Sequence, residues 1–521
     1  MDQATIYRRR WGTLVVLCFS LLVIGLDNTI LNVALPTLGR DLHASISQLQ
    51  WIVDAYVLVF AGLLLTAGSL GDRFGRKGAL SAGLLIFGTG SALSAFSGSA
   101  GTLIATRALM GIGGALIMPA TLSILTNTFL DPRERAKAIG VWAGVSGMGI
   151  AIGPIVGGWL LQHFWWGSVF LINIPVVIIA LTAGRFLIPD SRDPSSPRLD
   201  PLGAGLSIAG LTALLWAIIE APSHGWTSTP ILVAFLVAAV FLGSFVTWEL
   251  RTDHPMLNVR FFQNPRFTAA SAAITLVFFA LFGSLFLITQ YLQSVRGYTP
   301  LQAGLRMAPI ALMLMISAPA SSTLVRRLGS KVVVATGLVL AAAGLALFAN
   351  LQVHSGYEAV LVAIVVLGLG MGFTMAPATD SIMGSLPRAK AGVGSAVNDT
   401  TRQVGGALGV AILGSILSSA YSSRMASALA GHPLPPAAAK VAKDSIGGAI
   451  GVATAVGGQA GQALADAARH SFVAGLHPAV LAAAAVALFG ALVVILFLPA
   501  RASTVPAEQA EPAVGLEPAR A

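Results

Sequence analysis

The stretch GTLVVLCFSLLVIGLDNTILNVALP, Gly12 to Pro36, carries a single charge, Asp27, in 25 residues. As a helix it is long enough to cross a hydrocarbon layer of about 30 Å. A carboxylate there costs several kcal/mol, about 2.5–3.5 on insertion scales, so Asp27 is expected to have a task. Arg8, Arg9 and Arg10 precede the stretch. It is too long for a cleaved leader and has no small-residue cleavage site, so it reads as a retained span.

The rest of the chain agrees. Of 521 residues, 55% are hydrophobic and only 10% charged, and the mean hydropathy is +0.81. Soluble proteins carry roughly 25% charged residues. The single cysteine, Cys18, lies inside the first span, so no disulfide framework or zinc site can be built. It reads as a small packing residue. The net charge of +10 does not indicate nucleic acid, because the basic residues cluster between apolar runs as an orientation signal.

Runs of about 20 apolar residues predict fourteen spans, with cores near 12–36, 49–70, 78–98, 101–123, 137–161, 167–188, 201–220, 228–248, 267–291, 301–325, 332–351, 357–384, 396–421 and 475–499. With a cytoplasmic N-terminus, 22 of the 31 Lys and Arg fall at inner ends, and only Arg40 and Arg296 fall in short outer loops. An even count then puts both termini in the cytoplasm. The long outer connection, about 423–474, has Ala-rich stretches suited to short surface helices. Residues 501–521 are Pro-, Ala- and Glu-rich and are expected to be disordered.

An internal repeat organises the spans. RAKA occurs at Arg135–Ala138 and Arg388–Ala391. LGDRFGRK (Leu70–Lys77) aligns with LVRRLGSK (Leu324–Lys331), and PATLSI (Pro119–Ile124) with PATDSI (Pro377–Ile382). The three matches keep one order and nearly one offset. They predict an all-α membrane protein of fourteen helices. Two six-helix pseudo-repeats occupy 1–188 and 267–500, an inserted helix pair occupies 189–266, and 501–521 is a tail. Parallel halves related by an axis along the membrane normal suit a rocking transporter with a central site.

Several motifs carry physical demands. In GSLGDRFGRK (Gly68–Lys77, with Arg76), Gly68 and Gly75 permit close approach and a tight turn, and Asp72 is placed to meet an Arg such as Arg73, or the next helix end. In RALMGIGGA (Arg107–Ala115), Arg107 either snorkels to the outer interface or faces inward and meets a carboxylate. Asp27 and Asp54 lie at comparable depth. In GIAIGPIVGG (Gly149–Gly158), Gly149, Gly153 and Gly157 form one stripe for close backbone approach, and Pro154 favours a kink.

Together these strings resemble the major facilitator superfamily, and more narrowly its fourteen-span drug:proton antiporters. The resemblance covers nearly the whole chain, including the inserted pair and VNDTTRQVGGALG (Val397–Gly409). It implies that the glycine stripe seals against span 10, that Arg107 takes part in proton transfer, and that Asp27 belongs to the coupling machinery. The second half departs from the pattern, because Arg326 stands where the first half has Asp72.

Other polar positions allow two readings each. Asp54 reads as a cavity or an interfacial acid, and Asp380 as solvated or functional. Asp399 and Arg402, at i and i+3, could pair with each other. Phe278, Phe279, Phe282, Phe286, Met307, Met313 and Met315 suit either a promiscuous pocket or ordinary packing. Asn32, Tyr56, Trp142, Phe282, Phe286, Gln290, Asn398 and Arg402 are the candidate cavity residues.

No G-x-x-x-x-G-K-[ST], H-E-x-x-H or nucleophile elbow with partners occurs. An enzyme or sensor would need such a site or a sizeable soluble domain. The expected function is therefore proton-driven export of amphipathic, cationic drugs or antiseptics across a bacterial plasma membrane. The chain would act as a monomer, without cofactor, metal or nucleic acid. The alternative is a dedicated exporter of an endogenous metabolite, antibiotic or lipid-like product.

Overall fold

A chain in hydrocarbon must satisfy its own backbone, and an apolar run does so as a helix. In the computed structural model, which describes residues 3–192, 199–386, 391–430 and 434–499, fourteen helices are long and apolar enough to span. Spans 1 to 6 are Ala4–Asp41, Ile46–Phe74, Arg76–Ala95, Ala100–Thr128, Arg133–His163 and Ser168–Leu187. Spans 7 and 8 are Pro201–His224 and Thr229–Arg251. Spans 9 to 14 are Pro265–Val295, Pro300–Leu328, Ser330–Phe348, Tyr357–Met383, Gly394–Leu429 and Gly458–Phe497. The second RAKA copy lies largely outside the described residues, as does the 501–521 tail.

Local chemistry sets where helices start. Ser45 with Gln48, Ser99 with Thr102, and Thr299 with Gln302 form reciprocal caps at the outer starts of spans 2, 4 and 10. Asp131 caps span 5 by accepting from the Arg133 and Glu134 amides. Gly75 and Gly329, with φ of +120° and +83°, turn the chain between spans 2 and 3 and between spans 10 and 11. Only glycine adopts such angles cheaply.

Span 14 begins 17 residues earlier than hydropathy predicts, and span 13 runs on to Leu429. At 1.5 Å per residue the 40-residue span 14 is about 60 Å long and projects well beyond the bilayer. Between these projections lie two short helices, Pro436–Asp444 and Ile446–Val456, as the Ala-rich sequence suggests.

The packing repeats at eight-span intervals. Span 1 packs on 5 and 6, span 4 on 2 and 3, and span 3 on 6. Likewise span 9 packs on 13 and 14, span 12 on 10 and 11, and span 11 on 14. The two sets meet along two seams, span 5 on span 10 and span 2 on span 13. Spans 7 and 8 pack on each other, and span 7 covers the second seam by touching spans 2 and 13.

Small residues make the close contacts. A Cβ on Gly113 would lie 2.6 Å from the Phe87 amide nitrogen, and one on Gly370 would lie 2.4 Å from that of Ala341. These are equivalent span 3–4 and span 11–12 contacts. Gly113→Val and Gly370→Val are each expected to destabilise the detergent-solubilised protein by about 1–3 kcal/mol or more through overpacking. Gly140→Val, with nothing within 4 Å of its Cβ position, should leave the melting temperature near that of the parent in the same thermal scan.

Candidate translocation site

Asp27 and Arg107 meet inside the first six spans. Arg107 Nη1 donates to Asp27 Oδ2 at 2.6 Å, with 1% and 3% of the two side chains exposed. Arg107 Nε donates to the Ile52 carbonyl of span 2 at 3.1 Å. Its guanidinium lies over the Tyr56 ring, 4.4 Å from the centroid, and Tyr56 stacks on Phe60. Arg107 therefore faces inward and does not snorkel. Three groups from spans 1 and 2 hold it: a carboxylate, a carbonyl and an aromatic face.

The glycines of RALMGIGGA make this possible. A Cβ on Gly111 would stand 2.6 Å from the Tyr56 carbonyl, and one on Gly114 3.0 Å from the Tyr56 hydroxyl. Span 4 thus lies against span 2 one turn below Arg107. The stripe in span 5 acts from the other side. Gly149 abuts Gly25, Gly153 abuts Thr29, and Gly157 abuts Ile30. Its partner is thus span 1, at the level of Asp27, and not span 10 as the resemblance implied. Span 10 is met one step round the helix: a Cβ on Gly304 would lie 2.1 Å from the Pro154 carbonyl, and one on Gly158 2.6 Å from that of Pro300.

Asp54 is not beside Asp27. It is wholly buried and neither carboxylate oxygen has a donor. At about 100° per residue it points to the opposite side of span 2 from Tyr56. It shares the face of Gln50, which donates to the Val410 and Ala411 carbonyls of span 13 at 3.1 and 2.7 Å.

The bundle is closed on the side where spans 1 and 2 are joined. Gln50 ties span 2 to span 13, and Gln293 donates to the Val33 carbonyl of span 1 at 2.8 Å. The helix Ile446–Val456 lies against that end of span 1, where a Cβ on Gly447 would be 3.6 Å from Arg40 Cγ. Tyr421 of span 13 donates to the Ala442 carbonyl of Pro436–Asp444 at 2.8 Å.

A cavity of about 410 Å³ lies toward the opposite side, where spans 2 and 3 are joined, lined by residues that include Thr66, Gly68, Asp72, Met118, Trp142, Asp200, Met256 and Asp399. Of the expected cavity residues, only Trp142 lines it. Asn32, Tyr56, Phe286, Gln290 and Asn398 are buried in helix packing. Phe282 packs on Gly406. Arg402 reaches Thr379 at 3.3 Å and lies 3.8 Å from Asp399. Asn32, Tyr56, Phe286 and Gln290 belong to the halves of their helices on the closed side, where the helices are pressed together. Asp380 is exposed.

The loop after span 2 is latched. Asp72 pairs with Arg76 at 2.5 Å, the Arg76 amide donates to the Ser191 carbonyl at 3.0 Å, and Lys77 donates to the Arg185 carbonyl at 3.0 Å. Arg73 stays out of this latch and lies beside Phe74. In the second half, Arg326 reaches only Thr323 of its own helix.

Sequence reading missed a second stripe, Gly405 and Gly409 of span 13, each with its Cβ position 2.2 Å from a span 9 carbonyl. Its signal was present, since both lie 256 residues after Gly149 and Gly153. It also missed Gln50, Gln293, and the Asp200–Glu249 contact, which has no short-range pattern.

The model of the Major Facilitator Superfamily matches residues 17–410. The chain belongs to that superfamily. It is 39% identical to the multidrug efflux pump LfrA of Mycolicibacterium smegmatis, over 93% of this chain and 96% of the relative. It is 35% identical to the tetracenomycin C resistance and export protein of Streptomyces glaucescens, over 94% and 91%. The methyl viologen resistance protein SmvA of Salmonella typhimurium is also 35% identical, over 89% and 93%. Among solved structures, a bacterial homologue of the human lysosomal transporter Spinster, inward-facing and occupied, superposes with a TM-score of 0.64 at 17% identity, covering 93% of this chain and 95% of that one. That likeness is one of fold.

Removing one member of a buried ion pair strands the other. Arg107→Gln is expected to cost about 3–5 kcal/mol of stability, and Asp27→Asn in the same chain should recover most of it. Denaturation of the purified single and double variants measures both effects.

Proposed function

We propose that this chain is a proton-driven antiporter that exports amphipathic, cationic drugs or antiseptics across the bacterial plasma membrane, with both termini cytoplasmic and a single chain sufficient. Residues 1–188 and 267–500 act as the two rocking halves and 189–266 as an insert between them. The buried Asp27–Arg107 pair carries the reading. It is a titratable acid and its counter-charge, placed where spans 1, 2 and 4 meet, above an inner cavity lined by Asp72, Asp399 and Trp142. Acids and an aromatic ring attract an amphipathic cation. The names of the relatives support drug export.

In the cycle, drug enters the inner cavity while Asp27 is paired with Arg107. Opening to the outside hydrates Asp27, which takes a proton from there. The neutral acid no longer holds Arg107, so span 1 separates from spans 2 and 4 and the drug leaves outward. Closure carries the proton in, and its release to the cytoplasm restores the pair. One proton exchanged for a monovalent cation moves no net charge and draws on the pH difference alone. Each net charge moved, as with a second proton or a neutral drug, adds about 2.3 kcal/mol per 100 mV, roughly a fifty-fold gradient. Asp54 is proposed as a second proton carrier at the span 2–13 seam.

The relative named for tetracenomycin C resistance and export favours a second reading, a dedicated exporter of one product. A deletion strain with unchanged sensitivity to every amphipathic cation supports that reading.

Two measurements test the antiporter. In loaded vesicles, Asp27→Asn is expected to abolish pH-gradient-driven efflux, and full efflux in that variant removes the mechanism. A disulfide between Arg40→Cys and Gly447→Cys, in a Cys18→Ala background, is expected to stop transport by locking the outer side, with recovery on reduction. Undiminished transport by fully cross-linked protein would show that the outer side need not open there.

A further inference from the structure

The inserted pair contains two acids that the cycle above does not use. Asp200 caps span 7, its Oδ1 accepting from the Gly203 amide at 2.8 Å. The Trp248 indole donates to both Asp200 oxygens at 3.0 Å. Glu249, near the end of span 8, accepts from the Leu257 amide through Oε2 at 2.9 Å. Its Oε1 has no donor. The two residues are only 7% and 3% exposed. Asp200 Oδ2 and Glu249 Oε1 lie 2.6 and 2.7 Å from the point where a Cβ on Gly203 would stand. The carboxyl groups therefore converge over that glycine's bare face.

Among the described residues neither acid forms an ion pair with a Lys, Arg or His. A buried oxygen without a donor, facing another acid's oxygen, is satisfied by one proton held between them. Two ionised groups there would repel. Among the described residues the neighbouring charges do not compensate them. Asp72 is paired with Arg76, Asp399 sits with Arg402, and Arg251, Asp253, His254 and Arg260 are exposed.

We propose that Asp200 and Glu249 form a second proton-binding site, whose single shared proton clips the connection between spans 8 and 9 to the rim of the inner cavity. Asp200, Pro255 and Met256 line that cavity, and Thr66 of span 2 donates to Met256 Sδ at 3.2 Å. When the proton leaves to cavity water, the two carboxylates part. Glu249 carries the Leu257 amide with it, and Met256 leaves span 2. Cytoplasmic pH thereby sets the width of the inner mouth. The role in transport rests on the antiporter reading, but the shared proton itself does not.

The test is infrared difference spectroscopy of the full chain in lipid, in an Asp27→Asn/Asp54→Asn background, titrated toward alkaline pH. One protonated carboxyl signal is expected to disappear on titration. It should be missing from the start when Glu249→Gln is added, since the amide donates permanently to Asp200. An unchanged signal with Glu249→Gln overturns the proposal. Should Glu249→Gln fail to fold, the absence of any alkaline-titrating carboxyl in the background protein, or its persistence in Asp200→Asn, does the same. In transport at a fixed pH difference, Glu249→Gln alone should remain active with a cytoplasmic-pH profile flatter than that of the parent, and a wild-type profile counts against the clip. Failure of the antiporter reading shows instead as efflux by Asp27→Asn and leaves the infrared result untouched.

Discussion

The buried contact between Asp27 and Arg107 constrains everything around it. A lone carboxylate or guanidinium in this setting would be severely destabilised, so each needs the other at hydrogen-bonding distance. That requires spans 1, 2 and 4 to approach closely at one depth. The glycines after Arg107 bring span 4 onto span 2, and Gly149 and Gly153 bring span 5 onto span 1 beside Asp27. Two motifs that look separate in the sequence thus serve a single contact. A helix pair held by small residues has little side-chain interdigitation to break. The same surfaces that bring the charges together therefore also let them separate.

The second six spans reuse this scaffold without its chemistry. Gly405 and Gly409 meet span 9 at Thr275 and Phe279 as Gly149 and Gly153 meet span 1 at Gly25 and Thr29. By that register Asp27 falls on Val277. The Gly113–Gly370 equivalence places Arg107 on Ile364. Both counterparts are apolar and fully buried. The backbone approach is duplicated, but the charges are present in one half only. The loops follow suit, with Asp72 latched in the first half and Arg326 unlatched in the second. The buried ion pair thus belongs to the first half alone.

The insert gives the molecule a second asymmetry. Span 7 covers only the seam between spans 2 and 13, and leaves the seam between spans 5 and 10 without a helix of its own. Asp54 and Gln50 face the covered seam, and the Asp200–Glu249 contact sits at its inner end. Asp54, Gln50, Asp200 and Glu249 thus lie where the insert shields them from lipid, in keeping with the cost of placing such groups against hydrocarbon.

Hydropathy alone determined the fourteen spans, because a 30 Å hydrocarbon layer demands about 20 apolar residues each time. The repeat, the turn at Gly75 and the placing of Asp27 and Arg107 inside spans were also legible, since each rests on residue type and spacing. Which way a side chain faces was not. Asp27 and Asp54 look alike as acids in adjacent spans, yet two residues of helical rotation put Asp54 on the far side of span 2 from Tyr56. Phe286 and Gln290 look like pocket residues and are packed, because closure of the outer side depends on contacts between helices hundreds of residues apart. Glu249 looks like an ordinary end-of-helix acid until folding sets it against Asp200. Length and composition decide what enters the membrane, but partners separated by tens to hundreds of residues exist only once the helices are assembled.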